Sequence, residues 1–135
     1  MTASLEVSVR VIADAPVAML FDEPGAETVA DMIADGAAMS TVTHAEVGTV
    51  LIRTGRDPNA LALVAAQVLV EPFNVADAKT AAALIAQGPT LGLSLGDRAC
   101  LALAKRLRAP ALTAEREWAQ LEAGIEITLI RHAEP

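Results

Sequence analysis

The 135 residues are one domain in length, and the content of 53% apolar and 20% charged residues predicts a folded core rather than a disordered chain. The net charge is -7, from 17 acids against 10 Lys plus Arg, which excludes a protein that binds nucleic-acid phosphates through a generally basic surface. Any nucleic-acid contact must therefore be local or bridged by cations. Tyrosine is absent, and the 2 Phe and 1 Trp are too few for an aromatic base-stacking platform.

Strands alternate with helices along the whole chain. Runs of β-branched and aliphatic residues predict strands at residues 7–13, 37–42, 68–70 (extending to 73 at most), 111–113 and 125–130. Helical spacing and helix-start signals predict helices at residues 17–21, 26–34, 43–53, 59–67, 75–87, 94–107 and 113–124. This order predicts a single α/β domain over residues 1–135, with three α/β/α layers and a parallel sheet of four to five strands.

Cys100 is the single cysteine, so it cannot form an intramolecular disulfide. It lies on the apolar stripe of a predicted helix. We interpret it as a buried core thiol in a protein suited to the reducing cytoplasm. No basic segment leads into a long apolar run at the N-terminus, and no uncharged run reaches 18 residues. A signal peptide or membrane span is therefore not expected.

Four acids are predicted at one edge of the sheet. Asp14 ends the first strand, Glu46 lies in the first turn after the second, and Asp97 and Glu115 lie in the first turns of later helices. Each alone is explained by the stabilisation of an acid at a helix start, about 0.3–1 kcal/mol. Strand-to-helix junctions of a parallel sheet share one edge, however, so the four carboxylates are expected to meet and repel one another.

A divalent cation with oxygen ligands, Mg²⁺ or Mn²⁺, would relieve that repulsion. The chemistry natural to such a site, which has no side-chain nucleophile, is attack of a metal-activated water on a phosphodiester. Ser94 and Thr113 could hold metal-bound water there, although the spacing of Ser94 to Asp97 is also that of a capping box, and an N-cap is the simpler interpretation of both hydroxyls.

Four segments carry a family resemblance over almost the whole chain: VIADAPVAMLFDEPGAE, STVTHAEVGTVLIRTGRD, LGLSLGDRACLALAKRL and APALTAEREWAQL. With these segments the chain resembles the PIN-domain ribonucleases, and within them the VapC-type toxins of toxin–antitoxin pairs. The third segment is the most specific. The resemblance implies an α/β/α fold and an endoribonuclease, often acting on tRNA or other structured RNA, with an acidic Mg²⁺ or Mn²⁺ site formed by Asp14, Glu46, Asp97 and Glu115.

The resemblance also implies partners: a small antitoxin that inserts a basic side chain among the acids, and a second copy of the chain in a homodimer. Apolar positions within residues 29–52 are a plausible contact surface. Three positions depart from the family pattern. Pro16 replaces a usual Ser or Asn, Thr43 a usual Asn, and Glu115 a usual Asp, so a catalytically weak PIN-like protein that acts by binding is an alternative.

Other charged residues have simpler interpretations. Asp77 is predicted to be a helix-start charge, and His44 a solvated side chain. Arg98 and Arg116 either balance the neighbouring acids or bind RNA phosphate. A further group is predicted to form solvated helix faces rather than a basic rim: Arg53, Arg56, Lys105, Arg106 and Arg108.

A phospho-acceptor receiver domain is a third possibility, because it also gathers acids at this edge of a sheet. Receivers need a Lys at the end of a late strand. The two lysines of this chain, Lys79 and Lys105, fall in predicted helices. That function is therefore disfavoured.

Overall fold

The structure is a computed structural model that describes residues 10–12, 26–87, 92–121 and 123–129. Several predicted features lie outside these residues. They include Asp14, Pro16, the predicted helix at residues 17–21 and the C-terminal tail.

Five parallel strands form one sheet. They are β1 (Arg10–Ile12), β2 (Ala37–Ser40), β3 (Leu69–Glu71), β4 (Ala111–Thr113) and β5 (Ile127–Leu129). Their order in the sheet is β3-β2-β1-β4-β5. The register aligns Val11 with Ala38 on one side and with Ala111 on the other. The predicted parallel sheet of a three-layer α/β/α domain is thereby confirmed.

Helices occupy the connections between these strands. They are α1 (Ala26–Asp35), α2 (Thr41–Arg53), α3 (Ala60–Ala65), α4 (Val75–Ala83) and α5 (Leu95–Leu107), with 3₁₀ helices at Leu84–Gln87 and Arg116–Gln120. Among the helices of the described segments, none has both the length and the apolar character to cross a membrane.

Two predicted boundaries are wrong. The second strand ends at Ser40 rather than at residue 42, because the Ser40 hydroxyl accepts the backbone N–H of Val42 at 3.1 Å and begins α2 at Thr41. The helix predicted over residues 113–124 is only the short 3₁₀ helix Arg116–Gln120, which buries Trp118 beneath the sheet.

The core has one cluster on each face of the sheet, because alternate residues of a strand point to opposite faces. In β2, Met39 faces one cluster and Ala38 the other; in β4, Leu112 and Ala111 divide in the same way. The first cluster packs α1, α2 and α3 on the sheet, and the second packs α5 and the 3₁₀ helix of Trp118. Cys100 is a buried thiol of the second cluster, as predicted.

The strand order places a topological switch point between β1 and β4. The chain runs outward from β1 through β2 to β3, then returns to pair β4 with the other side of β1. In open parallel sheets, the crevice at the carboxyl ends of the strands beside such a point is the usual place for a binding site. Glu115 follows β4 at this edge, and α2 begins at the same edge after β2.

Candidate active site

Glu46 projects from α2 near the carboxyl edge of the sheet. Since α2 begins at Thr41 with Ser40 as its N-cap, Glu46 lies in the second turn of the helix, and the first turn contains no acid. The prediction that Glu46 lies in the first turn after the second strand is therefore wrong. The carboxylate of Glu46 is consequently not committed to capping α2.

The second acid, Asp97, is held by a capping box at the start of α5. The Ser94 hydroxyl accepts the backbone N–H of Asp97 at 3.1 Å, and Oδ2 of Asp97 accepts the backbone N–H of Ser94 at 2.9 Å. The predicted N-cap is confirmed. Because both hydrogen bonds are local, the first turn of α5 fixes the position of the Asp97 side chain.

Glu46 reaches across to this same turn. Its carboxylate lies so close to Gly96 that a β-carbon built on Gly96 would overlap it, and even the farther oxygen, Oε2, would lie only 2.6 Å away. Gly96 immediately precedes Asp97, so two acids from distant parts of the sequence share one helix start. The positive end of the α5 dipole attracts negatively charged groups at this position.

Glu115 lies two residues after the end of β4 and is exposed. Its backbone N–H donates to the hydroxyl of Thr113 at 3.0 Å, and Thr113 is completely buried. The hydroxyl of Thr113 thus accepts a bond from the turn that carries Glu115, which is a structural role of the kind that the sequence favoured.

The fourth predicted acid, Asp14, belongs to the segment outside the described residues, although it follows β1 at the switch point by only two positions. Within the described part of the chain, no group of three His, Cys, Asp or Glu side chains is arranged to hold a metal ion. The donors that are present suit Mg²⁺ or Mn²⁺, because carboxylate oxygens are hard ligands. The gap left by Gly96 is also the space that one of those carboxylates occupies.

The two predicted substrate-binding arginines differ in their surroundings. Arg98 is partly buried, and its Nη1 donates to the backbone carbonyl of Ala81 in α4 at 3.0 Å, while its buried Nε has no hydrogen-bond partner in the described structure. Arg116 is exposed at the start of the 3₁₀ helix that follows Glu115. Arg116 is therefore the better placed of the two to meet a ligand from solution.

Asp77 is a structural residue, as the sequence indicated. It closes the capping box of α4 with Asn74, and its buried carboxylate pairs with Arg106 at 2.9 Å. Arg106 is exposed, as expected for a residue of a solvated helix face, but its guanidinium also binds Asp77 and Glu71.

An open cleft of about 530 Å³ lies beside Glu46 on the exposed side of α2. Its remaining walls are mostly apolar or small side chains and one arginine: Val42, Ala45, Thr49, Val50, Arg53 and Leu95. Leu95 is half exposed. Part of the apolar surface that the sequence placed within residues 29–52 therefore adjoins Glu46.

Three residues of this region have roles that were not predicted from the sequence: Ser40 as the N-cap of α2, Gly96 against Glu46, and Thr43 with its buried hydroxyl. Thr43 is only 3% exposed, and its Oγ1 has no hydrogen-bond partner in the part of the chain that the structure describes. A serine immediately before Thr41 was a readable N-cap signal. The contact of Gly96 with Glu46 had no local signal, because it joins positions far apart in the sequence.

The comparisons with known proteins agree with the fold described above. A family model described as PIN domain matches residues 13–124. No curated protein sequence matches the chain significantly. Among solved structures, a chain of the toxin-antitoxin complex from Klebsiella pneumoniae is similar, with a TM-score of 0.74 at 16% identity over 93% of this chain and 100% of that one.

Two further structures are similar in fold. A chain of VapBC2 from Rickettsia felis, bound to a DNA fragment from its promoter, has a TM-score of 0.67 at 11% identity over 90% of this chain and 98% of that one. A chain of FitAcB from Neisseria gonorrhoeae has a TM-score of 0.61 at 16% identity over 92% and 99% of the two chains. At these identities, the likeness establishes the fold.

Proposed function

This chain belongs to the PIN-domain family, and from that premise we propose that it is a metal-dependent endoribonuclease toxin that a cognate antitoxin neutralises. The observation that carries the proposal is the contact of the Glu46 carboxylate with the helix turn that holds Asp97. Two carboxylates at one helix start repel each other unless a cation or a proton intervenes. The switch point beside them is where an open α/β sheet accommodates a ligand.

Asp97 and Glu46 are the proposed centre of the metal site, joined by Glu115 after β4 and by Asp14 after β1. When bound, Mg²⁺ or Mn²⁺ supplies Lewis-acid assistance to the attack of water on a phosphodiester and offsets the repulsion among the carboxylates. The capping box of α5 keeps Asp97 in one orientation, so little side-chain entropy is lost when its carboxylate acts as a ligand.

The substrate side of the proposal rests on charge. The chain carries a net charge of -7, so attraction of an RNA backbone requires local cations and the metal rather than the protein as a whole. Arg116, exposed beside Glu115, is the proposed phosphate contact. Arg98 is a weaker candidate because one of its N–H groups already binds Ala81.

The partner side of the proposal rests on the cleft beside Glu46 and on the fold comparison. The similar structure from Klebsiella pneumoniae is a toxin-antitoxin complex. An antitoxin segment with apolar side chains for the walls of the cleft and a basic side chain for Glu46 would match both the shape and the charge of this surface. A homodimer that uses other apolar positions within residues 29–52 is compatible with that arrangement.

A second candidate function, binding without catalysis, is favoured by one observation. Thr43 stands where the family resemblance expects Asn, and its buried hydroxyl has no hydrogen-bond partner among the described residues. It therefore does not support Glu46 in the way an amide would. Under this alternative, calorimetric titration with Mn²⁺ gives no stoichiometric heat.

The deciding experiment compares Asp97→Asn with Asp57→Asn. Asp97→Asn removes a charge while retaining an oxygen acceptor for the Ser94 N–H, so the fold should persist while metal-dependent RNA cleavage and Mn²⁺ binding are lost. Asp57 is a matched control: it is exposed in the connection between α2 and α3, where its Oδ1 accepts the N–H of Asn59. Unchanged, chelator-sensitive cleavage by Asp97→Asn would refute the proposed function.

A further inference from the structure

We propose that Gly96 is a positioning residue of this site: the absence of a side chain at Gly96 allows the Glu46 carboxylate to lie against the first turn of α5 beside Asp97. The role of Gly96 in metal binding rests on the proposed function, whereas its contact with Glu46 is a feature of the structure itself. Gly96 touches neither metal nor substrate in this role. It acts through the place that it gives to Glu46.

Backbone conformation does not explain a glycine at this position. Gly96 lies inside the helix Leu95–Leu107 and has no positive φ, so its backbone would accept any ordinary residue. Glycine is the least favourable residue for a helix after proline. A reason for its presence must therefore come from outside α5.

The contact with Glu46 supplies that reason. A β-carbon on Gly96 would overlap the carboxylate, and the colliding group belongs to another helix. Gly96 is buried, whereas Leu95 just before it is 50% exposed and Asp97 just after it is only partly covered. Any side chain at this position would push the Glu46 carboxylate away from Asp97 and from the positive end of the α5 dipole.

Gly48 provides a matched control. It is the glycine of α2, the helix that carries Glu46, and a β-carbon there would meet only Cδ2 of Leu61 at 3.7 Å, an ordinary contact. Gly48→Ala should therefore raise the melting temperature through helix propensity and leave Mn²⁺ affinity unchanged. Gly96→Ala also gains helix propensity but displaces the carboxylate.

The test measures Mn²⁺ affinity by calorimetry, RNA cleavage and melting temperature for Gly96→Ala, Glu46→Asp and the double variant. Gly96→Ala should weaken Mn²⁺ binding about tenfold or more and lower kcat more than it changes KM, since displacing even an indirect support of a metal site costs about 10–100-fold. Because Asp is one methylene shorter, Gly96→Ala should cost no further affinity in the Glu46→Asp background. If Gly96 had only a structural role, Gly96→Ala would lower Mn²⁺ affinity by the same factor in both backgrounds.

Melting temperatures test the contact without any metal. In the wild-type background, Gly96→Ala should raise the melting temperature less than Gly48→Ala does. In the Glu46→Ala background, Gly96→Ala should raise the melting temperature more than it does in the wild type, because the carboxylate it would displace is gone. Wild-type Mn²⁺ affinity and cleavage in Gly96→Ala, with both lost in Glu46→Gln, would overturn the role of Gly96 and leave the proposed function standing. If the wild-type chain itself binds no Mn²⁺, the proposed function and the metal role of Gly96 are overturned together, whereas the melting temperatures still report the contact.

Discussion

Arg106 binds both carboxylate oxygens of Asp77, with Nε 2.9 Å from Oδ1 and Nη2 3.1 Å from Oδ2. Asp77 is 2% exposed and also caps α4, so this pair joins the last turns of α5 to the first turn of α4. A third bond, from Nη1 to Glu71 at 3.2 Å, adds the end of β3. A carboxylate with these partners is compensated for its burial and belongs to the scaffold of the site.

Arg106→Met should destabilise the protein by about 2–3 kcal/mol, because it leaves Asp77 buried without its countercharge. The expected loss is below that for a fully buried pair, since the Arg106 side chain is 29% exposed. Lys105→Met, at an exposed position beside it, should change stability by less than about 0.5 kcal/mol. Urea denaturation of both variants measures the difference, and equal stabilities would contradict the structural role of the pair.

The same pair should be insensitive to pH near neutrality. The hydrogen bond with Asp77 raises the pKa of Arg106 above its usual value. A group whose folded pKa is raised stabilises the fold below its unfolded pKa and loses that contribution only as pH rises through the folded pKa. The stability difference between wild type and Arg106→Met should therefore stay constant from about pH 6 to about pH 9, which denaturation at several pH values checks.

Substitution of Arg98 should affect the stability of the fold, whereas substitution of Arg116 should affect RNA binding. Arg98→Met removes the bond to the Ala81 carbonyl and should cost about 1–3 kcal/mol of stability. Arg116→Met should leave stability unchanged but weaken RNA binding and lower the slope of log affinity against log salt by about 1. Fluorescence anisotropy with single-stranded RNA, in the Asp97→Asn background to prevent cleavage, measures the slope. Equal slopes with and without Arg116 would exclude it as a phosphate contact.

Thr43→Val should stabilise the protein by about 1 kcal/mol, because a buried hydroxyl without a hydrogen-bond partner is replaced by a methyl group of the same shape. Thr49→Val on the same helix is the control: Thr49 is exposed, and its hydroxyl donates to the Ala45 carbonyl at 2.8 Å. That variant should gain nothing. Thermal denaturation compares the two, and a loss of stability in Thr43→Val would show that the hydroxyl has a partner in the folded protein.

The sequence predicted those features that depend on local pattern. Alternating strands and helices specified the parallel sheet, and the spacing of Ser94 to Asp97 specified the start of α5, because a capping box is formed within four residues. The start of α2 was misjudged because Ser40 and Thr43 are both possible caps. Pairing of Ser40 with Glu71 keeps β2 extended up to Ser40 and decides between them.

Contacts between distant segments could not be predicted in this way. Arg106 follows the pattern of a solvated helix face, and only the packing of α4 against α5 reveals Asp77 as its partner. In the sequence, Gly96 likewise gives no sign of a role beyond the first turn of a helix. Only the packing of α2 shows that the Glu46 carboxylate lies against it. The sequence predicted that four acids lie near one edge, whereas tertiary packing determines the contact of Glu46 with the first turn of α5.

Glu115→Gln and Glu117→Gln should distinguish a ligand from a neighbouring surface acid. Both residues are exposed, but Glu115 follows the end of β4 by two positions at the switch point, whereas Glu117 belongs to the 3₁₀ helix. Loss of a carboxylate ligand should lower Mn²⁺ affinity at least about tenfold, since loss of an indirect support already costs that much. Isothermal titration measures the affinities, and similar values for the two variants would remove Glu115 from the proposed metal site.

Ser94→Ala and Asn74→Ala compare two helix caps of the same kind. Each residue accepts the backbone N–H of the Asp three positions later, at 3.1 Å for Asp97 and 2.8 Å for Asp77. Each variant should therefore lose about 1 kcal/mol of stability in denaturation experiments.

Their effects on metal binding should differ, because only the cap at Ser94 holds a proposed ligand. Ser94→Ala loosens the turn that orients Asp97 and should weaken Mn²⁺ binding about tenfold, the usual cost of losing a group that orients a ligand. Asn74→Ala loosens the turn of Asp77, which Arg106 continues to hold, and should leave Mn²⁺ affinity unchanged. If calorimetry gives the same affinity for both variants, Ser94 is a helix cap alone, and the orientation of Asp97 must come from the packing of α5.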